Sequence, residues 1–292
     1  FLIKGASLEH FRNAKNLTDL INQSPSLLND FSSIKGQIIA KRALSIAAAG
    51  LHNVLMVWAP GSGKTMLSKA LPSILPPLDF PEILEVSQIY SVVWKLNKDQ
   101  PLITQRPFRQ VHHTASKVSI IGGGTHLTPG EISLAHKGIL FFDELTEFPR
   151  EVLEVLRQPL EDSVINISRV SGTVEYPANV MFIASMNPCK CGYYKDPEKS
   201  CSCSLSEIKR YQSKISGPLL DRIDMILEIP REKIDTLLTK SLNQSSAELR
   251  QQVIKAWKIQ KDRFWKSGIQ TNAMMEAKDI DHYIQLDSAC KD

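Results

Sequence analysis

The 292-residue sequence predicts a three-layer α/β domain on a parallel sheet, followed by a small helical region. Several short, uninterrupted apolar runs have the character of strands buried on both faces. These runs alternate with stretches of helical periodicity. One run also passes through a Gly/Pro turn straight into Gly63-Lys64-Thr65 and a helix.

Residues 1–30 are mixed and polar, and they read as a linker or the remnant of an upstream domain. The core is expected over 31–231 and a partial helical region over 232–292. In "FSSIKGQIIAKRALSIAAAG", Ile38, Ile39, Ala43, Leu44, Ala47 and Ala48 recur at helical spacing, and Gly50 is placed to stop the helix. "NVLMVW" is the first buried strand and "GKTMLSKAL" the helix after it. "GILFFDE" is a second buried strand, ending in two acids. "REVLEVLRQPLED" reads as one amphipathic helix carrying Val152, Leu153, Leu156 and Leu160. "VINISRVSGTVEY" reads as a hairpin around Ser171-Gly172. "NVMFIASMN" is a third buried strand with a polar end. "GPLLDRIDMILEIP" holds a short helix and a fourth strand. From Glu232 the chain is charged and helix-prone, without strand signals.

Composition bounds the function classes. A hydrophobic fraction of 42% and a charged fraction of 23% are those of an ordinary soluble globular protein. No apolar run reaches membrane-spanning length, and the first residues lack a signal-peptide cleavage pattern. The net charge of +4 permits nucleic-acid contact without demanding it. Five cysteines, four of them clustered, without a secretory signal, suit a reducing cytoplasm better than a disulfide framework.

The pattern G-x-x-x-x-G-K-[ST] would run from 58 to 65. Gly63, Lys64 and Thr65 match it, and Pro60, Gly61 and Ser62 complete the loop. Glycines let backbone N–H groups approach a β-phosphate, and the helix N-terminus adds partial positive charge. Lys64 would reach the β/γ-phosphates, and the Thr65 hydroxyl would ligate Mg²⁺. Trp58 stands where the pattern has glycine. Its indole would either lean into the core and leave the loop intact, or push the loop out of register.

Asp143 and Glu144 end an apolar strand, as a Walker B pair does. Asp143 would hold magnesium and Glu144 would activate water, although Asp is also a good helix cap. Asn187 would position the water or serve as a turn residue. Arg222 would neutralise phosphate charge in trans, or pair locally with Asp221 or Asp224. Cys189, Cys191, Cys201 and Cys203 form two C-x-C pairs. Their number and type suit tetrahedral zinc; the alternative is a loop of reduced thiols, and Cys290 stands apart. His112, His113 and His136 lack a third ligand at useful spacing. Adjacent histidines in a strand would face opposite ways, so hydrogen-bonding roles are expected.

"IKGQIIAKRALSIAAAG", "PGSGKTMLSKALPSILPPL", "PFRQVHHTAS", "GGGTHLTPGEISLAHKGILFFDELTEF", "LRQPLED", "MNPCKCGYY" and "ISGPLLDRID" together resemble the magnesium-chelatase-like AAA+ ATPases of bacteria, the ComM competence-protein group. The similarity runs from about Phe31 to Pro230. It implies an AAA+ P-loop core with a helical lid, assembled as a hexameric ring with ATP and Mg²⁺ between subunits. It implies Walker A at Lys64 and Thr65, Walker B at Asp143 and Glu144, sensor 1 at Asn187 and an arginine finger at Arg222. It further implies action on DNA, with the "VINISRVSGTVEY" hairpin facing the pore and Arg169 near phosphates. A solvated Arg169 is the plainer alternative. The chain departs from the family pattern at Trp58 and Trp94, where the family has glycine, and at Gln110-Val111, where it has Ala-Pro. By the same resemblance, a Lon-like amino-terminal domain and a sensor 2 segment fall outside this sequence.

The leading expectation is therefore an ATP-driven ring motor on DNA. The alternatives are a non-hydrolysing remnant, motivated by Trp58 and the missing carboxyl end, and a chelatase motor subunit. The cysteine cluster argues against the chelatase reading, and DNA-stimulated versus porphyrin-coupled turnover separates it from the first.

Overall fold

The structure is a computed structural model that describes residues 29–58, 63–96, 101–124, 126–169, 172–229 and 244–284. The loop residues Pro60, Gly61 and Ser62, the expected linker over 1–28, and residues 230–243 lie outside the described set.

A five-stranded parallel sheet organises the molecule. Its strands are β1 (Val54–Trp58), β2 (Phe108–Val111), β5 (Ile139–Phe142), β8 (Met181–Met186) and β9 (Met225–Ile229), in the order β2-β5-β8-β1-β9. The three central strands are the apolar runs legible in the sequence. Every residue of β5 and β8 is buried, as strands covered on both faces require. Two small antiparallel pairs complete the strands: β3 (Gly122–Gly123) with β4 (Thr128–Pro129), and β6 (Val164–Arg169) with β7 (Gly172–Pro177). The second is the expected hairpin.

Helices lie on both faces. On one, α1 (Ile38–Gly50) packs with α2 (Lys64–Ala70), and Leu44, Ala47, Leu67 and Leu71 join Met56, Trp58 and Ile183 in one core. On the other, Val152, Leu153 and Leu156 meet Leu140, Phe142 and Phe182. The long helix Ser246–Phe264 lays Leu249, Val253 and Trp257 on the first core. Its Trp257 indole donates to Ala48 O at 3.4 Å, and Gln260 Nε2 donates to Ala49 O at 2.8 Å. At the start of that helix, Ser246 accepts from the Phe31 N–H at 3.0 Å and meets Ser73 Oγ at 2.7 Å, while its own N–H reaches the Asp30 carboxylate.

Several expectations are corrected. Ile38 and Ile39 are 75% and 77% exposed; the buried stripe of α1 begins at Ala40, because the first two helical positions face away from the sheet. The helix α1 ends at Gly50 as expected, but Gly50 is not its left-handed residue. Leu51 takes that conformation (φ 56°), and the His52 imidazole fills the place a side chain at Gly50 would need. The single helix expected over 150–162 is two, Arg150–Val155 and Arg157–Asp162. Pro159 has no N–H to give the Val155 carbonyl, and its ring crowds that turn. His112 and His113 lie just past β2 with their rings 4.2 Å apart, rather than on opposite faces of a strand.

The Trp58 side chain leans into the core, as one of the two expected courses had it, while the loop residues 59–62 lie outside the described set. Trp58 is a strand residue opposite Ile229, with its indole 1% exposed inside the core. Its Nε1–H has no partner there. Trp94 behaves otherwise. The helix Phe80–Val92 ends in a Schellman pattern, with Trp94 N–H donating to Ser91 O and Lys95 N–H to Tyr90 O, both at 3.1 Å. Trp94 holds the left-handed position (φ 55°), and its side chain is 83% exposed.

Candidate nucleotide site

The carboxyl ends of β1, β5 and β8 meet at one crevice, where ligands bind in open parallel sheets. The backbone at the loop–helix junction needs glycine: Gly63 caps α2 at φ 89°, a conformation that side chains disfavour. Lys64 and Thr65 form the first turn of α2. The Lys64 Nζ donates to Asn187 Oδ1 at 2.7 Å, linking the helix to the polar end of β8. Thr65 Oγ1 lies 3.5 Å from Asp143 Oδ2 at the end of β5. Burial holds the Lys64 ammonium below the usual lysine range, and Asp143 and Glu144 pull it partly back. A partly desolvated cation whose hydrogen bond goes to a neutral amide oxygen is suited to receive an anion.

Ser185, on β8, donates to Asp143 Oδ1 at 2.5 Å and fixes that carboxylate. Glu144 N–H is shared between Asp143 Oδ1 (3.1 Å) and Ser185 Oγ (3.3 Å). Glu144 itself sits at φ 54°, exposed, with no side-chain capping bond. The plain helix-cap reading of the two acids is thus not what the geometry shows. His113 Nδ1 lies 3.7 Å from Glu144 Oε2, because β2 and β5 are neighbours and the two residues follow their ends.

The structure therefore brings Lys64, Thr65, Asp143 and Asn187 together with Glu144 beside them. Arg222 is bonded to none of these. Its guanidinium pairs with Glu161 at 2.5 Å, not with Asp221 or Asp224, and Asp224 instead accepts from the Asn53 N–H at 2.7 Å. Ser185 escaped the sequence reading, and His113, read there for a hydrogen-bonding role, was not placed beside Glu144. "NVMFIASMN" did display a serine two residues before Asn187, which strand alternation puts on the same side of the sheet. His136 is a satisfied core histidine: its Nδ1 accepts from Asn179 N–H and its Nε2 pairs with Glu85, each at 3.1 Å. The thiols of Cys189, Cys191, Cys201 and Cys203 lie within 4.8 Å of one another. Among the described residues, no helix is long and apolar enough to cross a membrane.

Sheet order, glycine-capped helix and convergent strand ends define the class: an AAA+ P-loop core. The chain belongs to the family described as magnesium chelatase, subunit ChlI, whose profile matches residues 30–237. It is 41% identical over 275 residues to "Competence protein ComM" of Haemophilus influenzae, covering 91% of this chain and 51% of that protein. It is 43% identical over 266 residues to "Uncharacterized protein YifB" of Salmonella typhimurium, covering 90% and 51%. The chain thus spans about half the length of these curated relatives. It is also 25% identical over 185 residues to the magnesium-chelatase 67 kDa subunit of Heliobacterium mobile, covering 54% of this chain and 28% of that one.

Proposed function

We propose that the chain binds and hydrolyses ATP as one subunit of a ring motor that acts on DNA. The observation that carries the ATP reading is the convergence of Lys64, Thr65, Asp143 and Asn187 at neighbouring strand ends. A hydroxyl and a carboxylate are hard oxygen donors, so Thr65 and Asp143 fit Mg²⁺, which when bound neutralises phosphate charge. Lys64 exchanges its Asn187 contact for phosphate oxygens. Glu144 orients the attacking water and accepts its proton, and Asn187 holds that water on the other side. His113 steers the Glu144 carboxylate. Arg222, on the surface, serves the site of the adjacent subunit, where its guanidinium leaves Glu161 for developing phosphate charge. A hexamer is the ring this family resemblance implies.

DNA as the track is supported by the name of the Haemophilus relative, a competence protein, and by Arg169 at the end of the β6–β7 hairpin. The burial of the Trp58 indole in the core, away from the crevice residues, supports this reading over a non-hydrolysing remnant.

Steady-state ATPase with and without DNA tests the reading. Lys64→Ala is expected to abolish turnover, and Glu144→Gln to lower kcat by about 10²–10⁴-fold while nucleotide still binds. His113→Ala is expected to lower kcat more than it changes KM, with His113→Asn, which keeps a polar nitrogen, recovering part of the loss. Turnover that survives Lys64→Ala refutes the site. Turnover coupled to porphyrin rather than DNA moves the assignment to a chelatase motor.

A further inference from the structure

We infer that Cys189, Cys191, Cys201 and Cys203 form a structural zinc site that staples the sensor asparagine to its loop. The geometry comes first. The Cys189–Cys191, Cys189–Cys201 and Cys191–Cys201 sulfurs are 3.4, 3.7 and 3.5 Å apart. Four thiolates about 2.3 Å from a tetrahedral zinc stand about 3.8 Å from each other. A disulfide brings its sulfurs to about 2.05 Å, and none of these pairs is near that. All four sulfurs share one sphere, which two separate bridges would not need.

The second ground is the loop itself. From Asn187 to Ser204 the chain forms neither helix nor strand. A stretch of that length inside a compact domain needs something to hold it. Its backbone bonds are local, such as Gly192 N–H to Cys189 O at 3.0 Å and Asp196 N–H to Tyr193 O at 3.1 Å. Its outward side-chain contacts among the described residues are few, such as Lys64 to Asn187 and an exposed Lys195–Glu228 pair. To the next helix it is tied by the Ser204–Glu207 capping box at the loop's end and by a bond from Gln212 Nε2 to Pro188 O, at 3.0 Å. A metal joining the two C-x-C pairs closes the loop at its base, where a cross-link restricts it most.

Position gives the site its consequence. Cys189 is fully buried and stands two residues beyond Asn187. Pro188, Tyr194, Lys195 and Pro197 from the same loop line a cavity of about 530 Å³ with Trp58 and Ile229. The zinc-closed loop is thus a wall beside the carboxyl ends of β1 and β9, and it sets where the Asn187 amide points. That coupling rests on the ATP reading above, whereas metal binding does not.

Metal analysis of the full chain, purified without chelator, is expected to give about one zinc per chain, lost when the four cysteines become serine. Because that variant may simply not fold, the unmutated chain is also stripped and refilled with Co²⁺. Intense visible bands and thiolate-to-cobalt charge transfer are expected for tetrahedral sulfur coordination. Absence of both zinc and the cobalt spectrum overturns the site. Lys64→Ala keeps its zinc whether or not the ATP reading is right, so the two can fail separately. Metal removal is expected to expose the 187–204 loop to protease and to weaken ATP turnover. Zinc that leaves without either change overturns the stapling role.

Discussion

Two tryptophans, Trp58 at the end of β1 and Trp94 after the helix Phe80–Val92, stand where the resemblance leads one to expect glycine. The fold absorbs them in opposite ways. At 58 the backbone is ordinary strand, and the burden falls on the side chain, which fills the core and leaves its indole N–H unpaired. At 94 the side chain meets little but solvent, and the burden falls on the backbone, held left-handed by two helix-ending hydrogen bonds. A glycine position can therefore be demanding for what surrounds it or for the φ it imposes, and only the second survives as strain when space is free.

The contrast has signs that can be measured. Trp58→Gly empties a packed volume and is expected to lower stability by about 3–5 kcal/mol, read from denaturant midpoints. A loss below about 1 kcal/mol would mean that the ring is not in the core. ATPase assay of the same variant, held under conditions where it stays folded, tells whether the indole also restrains the phosphate loop. A gain in turnover would extend the burden at 58 from packing to function.

His136 sharpens the comparison from a second buried ring, one whose nitrogens are both satisfied. His136→Phe strands the Asn179 N–H and is expected to cost about 1–3 kcal/mol. Burial also holds the His136 pKa below its ordinary value, with the Glu85 hydrogen bond opposing that shift. The unfolded chain therefore takes up this proton first. Stability contributed by the neutral ring is present above about pH 6.5 and lost as pH falls through the folded value. Thermal melts across that range should lose their acid-side slope in the His136→Phe variant. The smallest effect is expected at the exposed site: Trp94→Gly relieves a left-handed side-chain residue and should raise stability by about 1 kcal/mol. A destabilised Trp94→Gly would show that the indole makes a contact worth more than the strain.

The sequence announced the centre of the sheet and its β9 edge better than its β2 edge. β1, β5 and β8 are apolar on both faces and read as continuous runs. β2 reads Phe-Arg-Gln-Val, and Arg109 is there because it makes a two-pronged pair with Glu131, at 2.5 and 2.7 Å. Edge strands carry such polar residues, and no periodicity of four residues distinguishes them from a loop. The helix from Phe80 was legible in principle, since Asp79 and Glu82 form a capping box. At the site, Lys64, Thr65, Asp143 and Asn187 follow from local pattern. His113 does not, because its nearness to Glu144 is created only when β2 pairs with β5.

The bond node among Asp30, Phe31, Ser73 and Ser246 joins residues far apart along the chain. The Asp30–Phe31 turn and the helix that starts at Ser246 are consequently moored to one post. A pull on either mooring line is delivered to the other through a few polar bonds, close to the helix that follows the phosphate loop. A load on the Asp30–Phe31 turn thus has a short route to the helix packed over the core.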